Sequence, residues 1–274
     1  MSEQVLEVTN YDKEAKVRYI NAEWRDKDDS PRIGSRETRR ANTAYQDVTI
    51  MDARSRLDTG DLNLNTNGFM LSNSSTKVSS FRDEAEIAKL YYPEMQDLIC
   101  RVSGASQAFV RSHLIRTEKP IDFNDGYSRF VHCDYNIRRL EEMSLELLER
   151  HGVTPQDNWE YVWYNTWQPF DHQVQNNPLA VIDWDSLPTK DVIDYYYTGR
   201  NLDSLVAAPV YSPDHQFWYF PMMETDEVLV TTQMDERPGN AVYCPHSAFD
   251  VLDAVDPLPR RSIETRLMAV FEKE

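Results

Sequence analysis

Apolar residues recur at helical spacing in only two stretches of this chain; elsewhere they form short runs or alternate with polar neighbours. Ile87, Leu90, Tyr91, Met95, Leu98, Ile99 and Val102 fall near a 3.6-residue period, which predicts a helix from about Asp83 to Val102. Pro93 is expected to kink it, and Gly104 lies just past its end. A second helix is predicted from about Ile137 to Arg150, carrying Leu140, Met143, Leu147 and Leu148, with Gly152 as its stop. Strand-like segments are Val17–Asn21, Val48–Met51, Ala108–Arg116, Arg129–Cys133, Tyr161–Trp167 and Leu179–Ile182. Further along are Leu205–Tyr211, Phe217–Phe220, Val228–Gln233, Ala241–Cys244 and Ile263–Phe271. Most are rich in β-branched or aromatic residues and are separated by Pro, Asp, Asn or Gly. Many short strands with two helices outside them predict a mainly β protein, a jelly-roll-like double sheet in one domain spanning residues 1–274. Residues 23–44 are the most polar stretch and are expected to wrap over the surface as a solvated loop, with Arg39 and Arg40 as a weaker phosphate-binding reading.

Composition narrows the function classes. Hydrophobic residues make up 41% of 274 positions, enough to bury a core. The formal net charge of −17 excludes the basic footprint that nucleic acid or an anionic membrane requires. No run of about 18 apolar residues is present, and the N-terminus shows no signal-peptide core. The cysteines, Cys100, Cys133 and Cys244, are odd in number and lack CxxC spacing, so a reducing, cytoplasmic setting is expected rather than a disulfide scaffold or thiolate zinc site.

The candidate chemistry begins at FVHCDYN, residues 130–136. In an extended strand, residues two apart share a face and sit roughly 6.6 Å apart, so His132 and Asp134 could meet on one ion. Non-haem iron takes two histidines and a carboxylate, leaving positions open for co-substrate and oxygen. A lone HxD pair is weak evidence and needs a distant histidine. His113 lies in an alternating strand, His151 follows a helix, and His172 and His215 sit in polar loops. His246, in YCPHSAFD, comes just after a short apolar strand, a ligand-like placement, although any one of these residues alone is more often structural. In PRRSIETRLMAVF, strand parity puts Arg260, Ser262, Glu264, Arg266 and Met268 on one face and Ile263, Leu267, Ala269 and Phe271 on the other. A guanidinium and a hydroxyl at Arg260 and Ser262 suit a dicarboxylate, with Arg266 as competitor and Glu264 requiring a cation beside it.

The order of several further segments is familiar: VTIMDAR, NGFML, EIAKLYYPEMQDLI, VHCDY, YNTWQPF, PLAVIDWDSL, HQFWYFPMMETDEVLV, and PHSAFD with PRRSIETRLMAVF. Together they resemble the CmcJ and gibberellin desaturase-like family, which includes fungal endoperoxide-forming oxygenases. The resemblance covers most of the chain. It implies a double-stranded β-helix of cupin-like kind, Fe(II) with 2-oxoglutarate as co-substrate and O2 as oxidant, and metal ligands at His132, Asp134 and His246. It also implies a co-substrate carboxylate held from the Arg260–Arg266 row, and a small-molecule substrate, expected to be a bulky terpenoid or polyketide-terpenoid hybrid of specialised metabolism. Hydroxylation, desaturation, cyclisation and oxygen insertion stay open as outcomes. Relatives carry Trp-Arg-Pro where this chain has Trp167-Gln168-Pro169, which loosens any transfer of substrate class. An apolar, aromatic substrate pocket is expected, with Phe130, Tyr135, Trp167, Gln168, Trp184 and Trp218 as lining candidates. Two rival readings are a non-catalytic partner of the same fold acting with a companion enzyme, and a cupin-like metalloenzyme without 2-oxoglutarate. The intact histidines and carboxylate argue against the first, and the Arg260–Ser262 pair is unexplained by the second. Association into a homodimer stays open.

Overall fold

A computed structural model describes residues 11–57, 59–117 and 126–273. The N-terminal stretch read above for a signal peptide begins outside them. In chain order the first elements are β1 (Lys13–Ile20), β2 (Arg32–Ile33), α1 (Arg36–Asn42), β3 (Thr43–Asp52) and β4 (Phe69–Asn73). A helical segment follows as α2 (Glu84–Glu86), a π turn (Ile87–Tyr91) and α3 (Tyr92–Ser103), then β5 (Gln107–Arg116) and α4 (Leu140–Arg150). The remaining strands are β6 (Trp159–Pro169), β7 (Leu179–Ile182), β8 (Val192–Tyr197), β9 (Ser204–Pro209), β10 (Phe217–Tyr219), β11 (Glu227–Met234), β12 (His246–Ala248) and β13 (Ser262–Glu272).

Two five-stranded sheets, β1-β3-β10-β7-β12 and β4-β11-β6-β13-β5, share an apolar core. Val181 of the first sheet packs there with Phe69, Trp167 and Leu229 of the second. A small sheet, β2-β8-β9, lies beside them. β13 runs between β6 and β5, and its two faces have different neighbours. Ile263, Leu267 and Ala269 pack under Ile87, Met95, Leu98 and Ile99 of the helical segment. The opposite face carries Ser262, Glu264 and Arg266, then Met268 and Val270, which pack under α4. The expected parity therefore describes the strand from Ser262 onward, while Arg260 stands in irregular chain two residues before it.

The first helix departs from its predicted form in an instructive way. A proline cannot donate the helical hydrogen bond and its ring crowds the preceding turn. The chain answers not with a break but with a wider π turn immediately before Pro93, which stands in the first turn of α3. Gly104 ends α3 with φ of 77°, the left-handed conformation expected of that glycine. The turn also presents Tyr91, whose hydroxyl donates to Gln168 Oε1 at 2.6 Å.

Three expectations are corrected. Residues 129–133 form no strand: Phe130 bridges Arg18 and His132 bridges His246, so the segment crosses between two partners too quickly to build a ladder. Residues 241–244 are also irregular, because Ala241 donates to Asn65 and Cys244 to Thr232 instead of to one neighbouring strand. The polar stretch 23–44 contains β2 and α1, the latter started by a capping box between Ser35 and Thr38. Between β2 and this helix, Gly34 lies so close to Thr198 that a Cβ would stand 2.2 Å from its Oγ1.

His215 sits in a loop as expected, between β9 and β10, but not in solvent. Its ring is buried, with Nδ1 against the Tyr19 hydroxyl at 3.1 Å and Nε2 against Asp191 at 3.3 Å. Burial, aided by Arg25, pushes its pKa below the ordinary imidazole value despite Asp191. A depressed folded-state pKa means stability that is full above about pH 6.5 and lost as pH falls through the folded value. The thermal midpoint of the wild type is expected to drop between pH 7 and pH 5, and the drop should be smaller in His215→Gln. Equal drops in thermal melts of the two proteins would remove His215 as a cause. Tyr91→Phe should leave the buried Gln168 oxygen without its donor and cost about 1–3 kcal/mol, read as a lower denaturant midpoint.

Candidate metal centre

His132, Asp134 and His246 come together in one place. One potential ligand atom from each lies within 4.8 Å of the others. The main chain fixes the two histidines first: His132 N–H donates to the His246 carbonyl at 3.2 Å, and His246 N–H donates to the His132 carbonyl at 3.0 Å. Both rings then turn the same way. His132 Nδ1 is 2.6 Å from the Phe130 carbonyl and His246 Nδ1 is 3.1 Å from the Cys244 carbonyl. A carbonyl only accepts, so each Nδ1 carries the proton and each Nε2 keeps its lone pair. Those Nε2 atoms face Asp134, at 3.6 Å for His132 and 3.9 Å for His246. Burial and the neighbouring His132 push His246 below the ordinary imidazole pKa, which favours the neutral, ligating form.

Asp134 reaches this point through a bend rather than through strand parity. Asn165 of β6 donates to its Oδ2 at 2.5 Å, and Arg266 donates to its Oδ1 at 3.1 Å. Its backbone N–H points at Gln233, the residue where the β11–β6 register shifts. Burial alone would raise the carboxyl, but Arg266, His132 and His246 hold it well below the usual carboxylate range. Two imidazole nitrogens and an anionic oxygen are the donor set that suits mononuclear iron with open positions. Cys133 between them is buried with Tyr135 and Leu140, and burial raises its thiol pKa.

The arginine row separates into two kinds. Arg266 is engaged at both ends, with Nε on Glu264 Oε1 at 2.8 Å and a second nitrogen on Asp134. Arg260 is buried over the rings of Tyr127 and Trp167, with Nη1 on the Asn177 carbonyl at 2.6 Å. Its Nε and the Ser262 hydroxyl, both buried, have no hydrogen-bond partner among the described residues. Burial, then Arg116, pushes the Arg260 pKa down to about 9. A guanidinium nitrogen and a hydroxyl left in that state have donors that would suit a carboxylate.

A cavity of about 490 Å³ opens over His132 and Asp134. Phe130 and Tyr135 line it, joined by Tyr195, Leu205 and Val206, which sequence reading did not single out. The other lining candidates stand elsewhere. Trp167 faces Arg260 and the inter-sheet core, Trp184 packs near Tyr243, and Trp218 lies against Arg56. Gln168 is on the opposite face of β6 from Trp167 and spends its amide on Tyr91 and on the carbonyls of Ser74 and Thr225. The expected apolar pocket with few polar anchors is corrected as well, because six arginines share its wall. The approach of Arg111 and Arg116 from β5 and of Arg39 from residues 36–42 has no periodic signature in the sequence.

Comparisons with known proteins agree with this geometry. A family model described as an oxidoreductase/YMDC permease-like domain matches residues 10–271. No helix among the described residues is long and apolar enough to cross a membrane. The hydroxylase/desaturase efuI of Hormonema carpetanum is 31% identical over 257 residues, covering 84% of this chain and 85% of that protein. The alpha-ketoglutarate-dependent dioxygenase phiK of a fungal species is 29% identical over 247 residues, covering 85% and 86%. The solved structure of the iron and alpha-ketoglutarate-dependent endoperoxidase NvfI superposes with a TM-score of 0.80 at 22% identity, over 96% of this chain and 99% of that one, and shares its fold. The chain belongs to this family of fungal hydroxylases, desaturases and dioxygenases that depend on iron and 2-oxoglutarate.

Proposed function

We propose that this protein oxidises a bulky specialised metabolite, a terpenoid or a polyketide-terpenoid hybrid, with His132, Asp134 and His246 as the iron ligands. The observation that carries the ligand assignment is the convergence of two Nε2 lone pairs and one carboxylate within 4.8 Å. Bound Fe(II) with 2-oxoglutarate supplies the activation of O2 and the abstraction of hydrogen from substrate, with succinate and carbon dioxide as co-products. The chain's own residues set up that chemistry. The Phe130 and Cys244 carbonyls keep both Nε2 atoms unprotonated, and Asn165 and Arg266 hold Asp134 anionic and oriented. Arg260 and Ser262 receive the far carboxylate of 2-oxoglutarate, which gives their orphaned donors partners. Phe130, Tyr135 and Tyr195 position the substrate and keep water out of the cavity. Three free cysteines, two of them buried, fit a reducing compartment, and we place the protein in the cytoplasm.

Anaerobic protein given Fe(II) and 2-oxoglutarate should develop the visible iron-to-keto-acid charge-transfer band. Folded protein without that band would overturn the reading. Asp134→Ala should lose the band and substrate-coupled succinate release while its circular dichroism stays that of the wild type. Arg260→Gln should still bind Fe(II) but require roughly ten to a hundred times more 2-oxoglutarate to reach half the band. An unchanged midpoint would move the co-substrate carboxylate to another residue.

A further inference from the structure

The charge of the whole chain and the charge of the cavity have opposite signs. Asp and Glu outnumber Lys and Arg by 46 to 29. Yet Arg39, Arg111, Arg116, Arg139, Arg200 and Arg266 line the cavity, and Asp134 is the one carboxylate among its lining residues. Arg266 is committed to Asp134 and Glu264, and Arg139 is 3.3 Å from Glu142. Arg111 and Arg116 have no such commitment: neither makes an ion pair with a carboxylate among the described residues.

How these two arginines reach the cavity is itself informative. The β13–β5 register passes from Arg266 opposite Ser112 to Leu267 opposite Val110, so Arg111 is the extra residue of a β-bulge. Bulges re-aim side chains, and this one lays Arg111 beside the rings of Tyr135 and Trp163, at 6.0 Å and 5.6 Å. Arg116 is paired across the strands with Ser262. With iron and 2-oxoglutarate bound as proposed above, Asp134, Glu264 and the two co-substrate carboxylates are balanced by Fe(II), Arg260 and Arg266. Arg39 is engaged and Arg200 is exposed to water, so Arg111 and Arg116, both half-buried, are left over. A neutral substrate filling the cavity would strip water from two cations and give nothing in return.

We propose that the substrate has an apolar body bearing an acid group, a carboxylate or an equivalent oxyanion, and that Arg111 and Arg116 receive that group. The assignment rests on the oxygenase reading and names its substrate class. Phe130, Tyr135, Tyr195, Leu205 and Val206 take the apolar body. The guanidinium forks take the acid in paired hydrogen bonds, which fixes which carbon of the body lies nearest the metal centre.

Two dyes with nearly the same apolar body test this, 8-anilinonaphthalene-1-sulfonate with the charge and N-phenyl-1-naphthylamine without it. In fluorescence titrations the double variant Arg111→Gln/Arg116→Gln should bind the sulfonate roughly tenfold or more weakly and the neutral dye as the wild type does. Arg111→Lys, which keeps the charge, should recover part of the loss, and Arg101→Gln on the surface should bind both dyes like the wild type. Loss of both dyes together, or of neither, overturns the proposal. So does displacement of the sulfonate by 2-oxoglutarate accompanied by a weaker 2-oxoglutarate midpoint in the variant, because the arginines would then serve the co-substrate. An arginine-dependent preference for the sulfonate in protein that shows no charge-transfer band supports the acid-binding cavity and overturns only the oxygenase reading.

Discussion

Two reciprocal backbone hydrogen bonds, between His132 and His246, hold the candidate metal centre together. They join segments more than a hundred positions apart and make neither a ladder nor a loop, only a single bridge. Because the bonds are made by main chain, they set both Cα positions without using either imidazole. The rings are then free to be turned by the carbonyls of Phe130 and Cys244, each two residues upstream of the histidine it orients. The same device is used twice, and the result is a pair of lone pairs that face one carboxylate.

Around that bridge lies a layered electrostatic arrangement. Asp134 is kept anionic in a buried setting by Arg266, and Arg266 is kept in place by Glu264, so the carboxylate has a partner before any cation arrives. Such preset charge lowers the reorganisation needed on metal binding. At the start of β13 and just before it, Ser262 and Arg260 are the reverse case, with the hydroxyl and the Nε buried and unpaired among the described residues. The start of β13 thus sets a satisfied ion cluster beside unpaired donors, separated by the Ser262–Glu264 step. The chain is acidic overall, while the cavity wall carries six arginines and one carboxylate.

Local regularity decided what could be read from the sequence. β7 has its expected bounds, and the alternation in β13 announced both its buried apolar face and its row of polar residues. Both helices were visible from their period, although the π turn before Pro93 was not, since a proline announces a disturbance without saying which form relieves it. The segments at 129–133 and 241–244 are as apolar as true strands. What distinguishes them is the identity of their distant partners, which no local pattern encodes. Gln168 is a different kind of miss: it is one residue from Trp167, so parity already forbade the two from sharing a wall. The bulge that aims Arg111 depends on the pairing register of β13 with β5 and left no trace in residue type.

β9 carries a constraint beyond its place in the cavity wall. Ala207 of this strand accepts from Cys133 N–H at 2.8 Å and donates to the Tyr135 carbonyl at 3.1 Å, bracketing the peptide of Asp134. Leu205 and Val206, immediately before it, line the cavity. The strand that lines the cavity is therefore bolted to the backbone around Asp134. Descendants of this protein that take larger or smaller molecules are free to exchange side chains on β8 and β9. They are not free to slide the strand, because the carboxylate would travel with it.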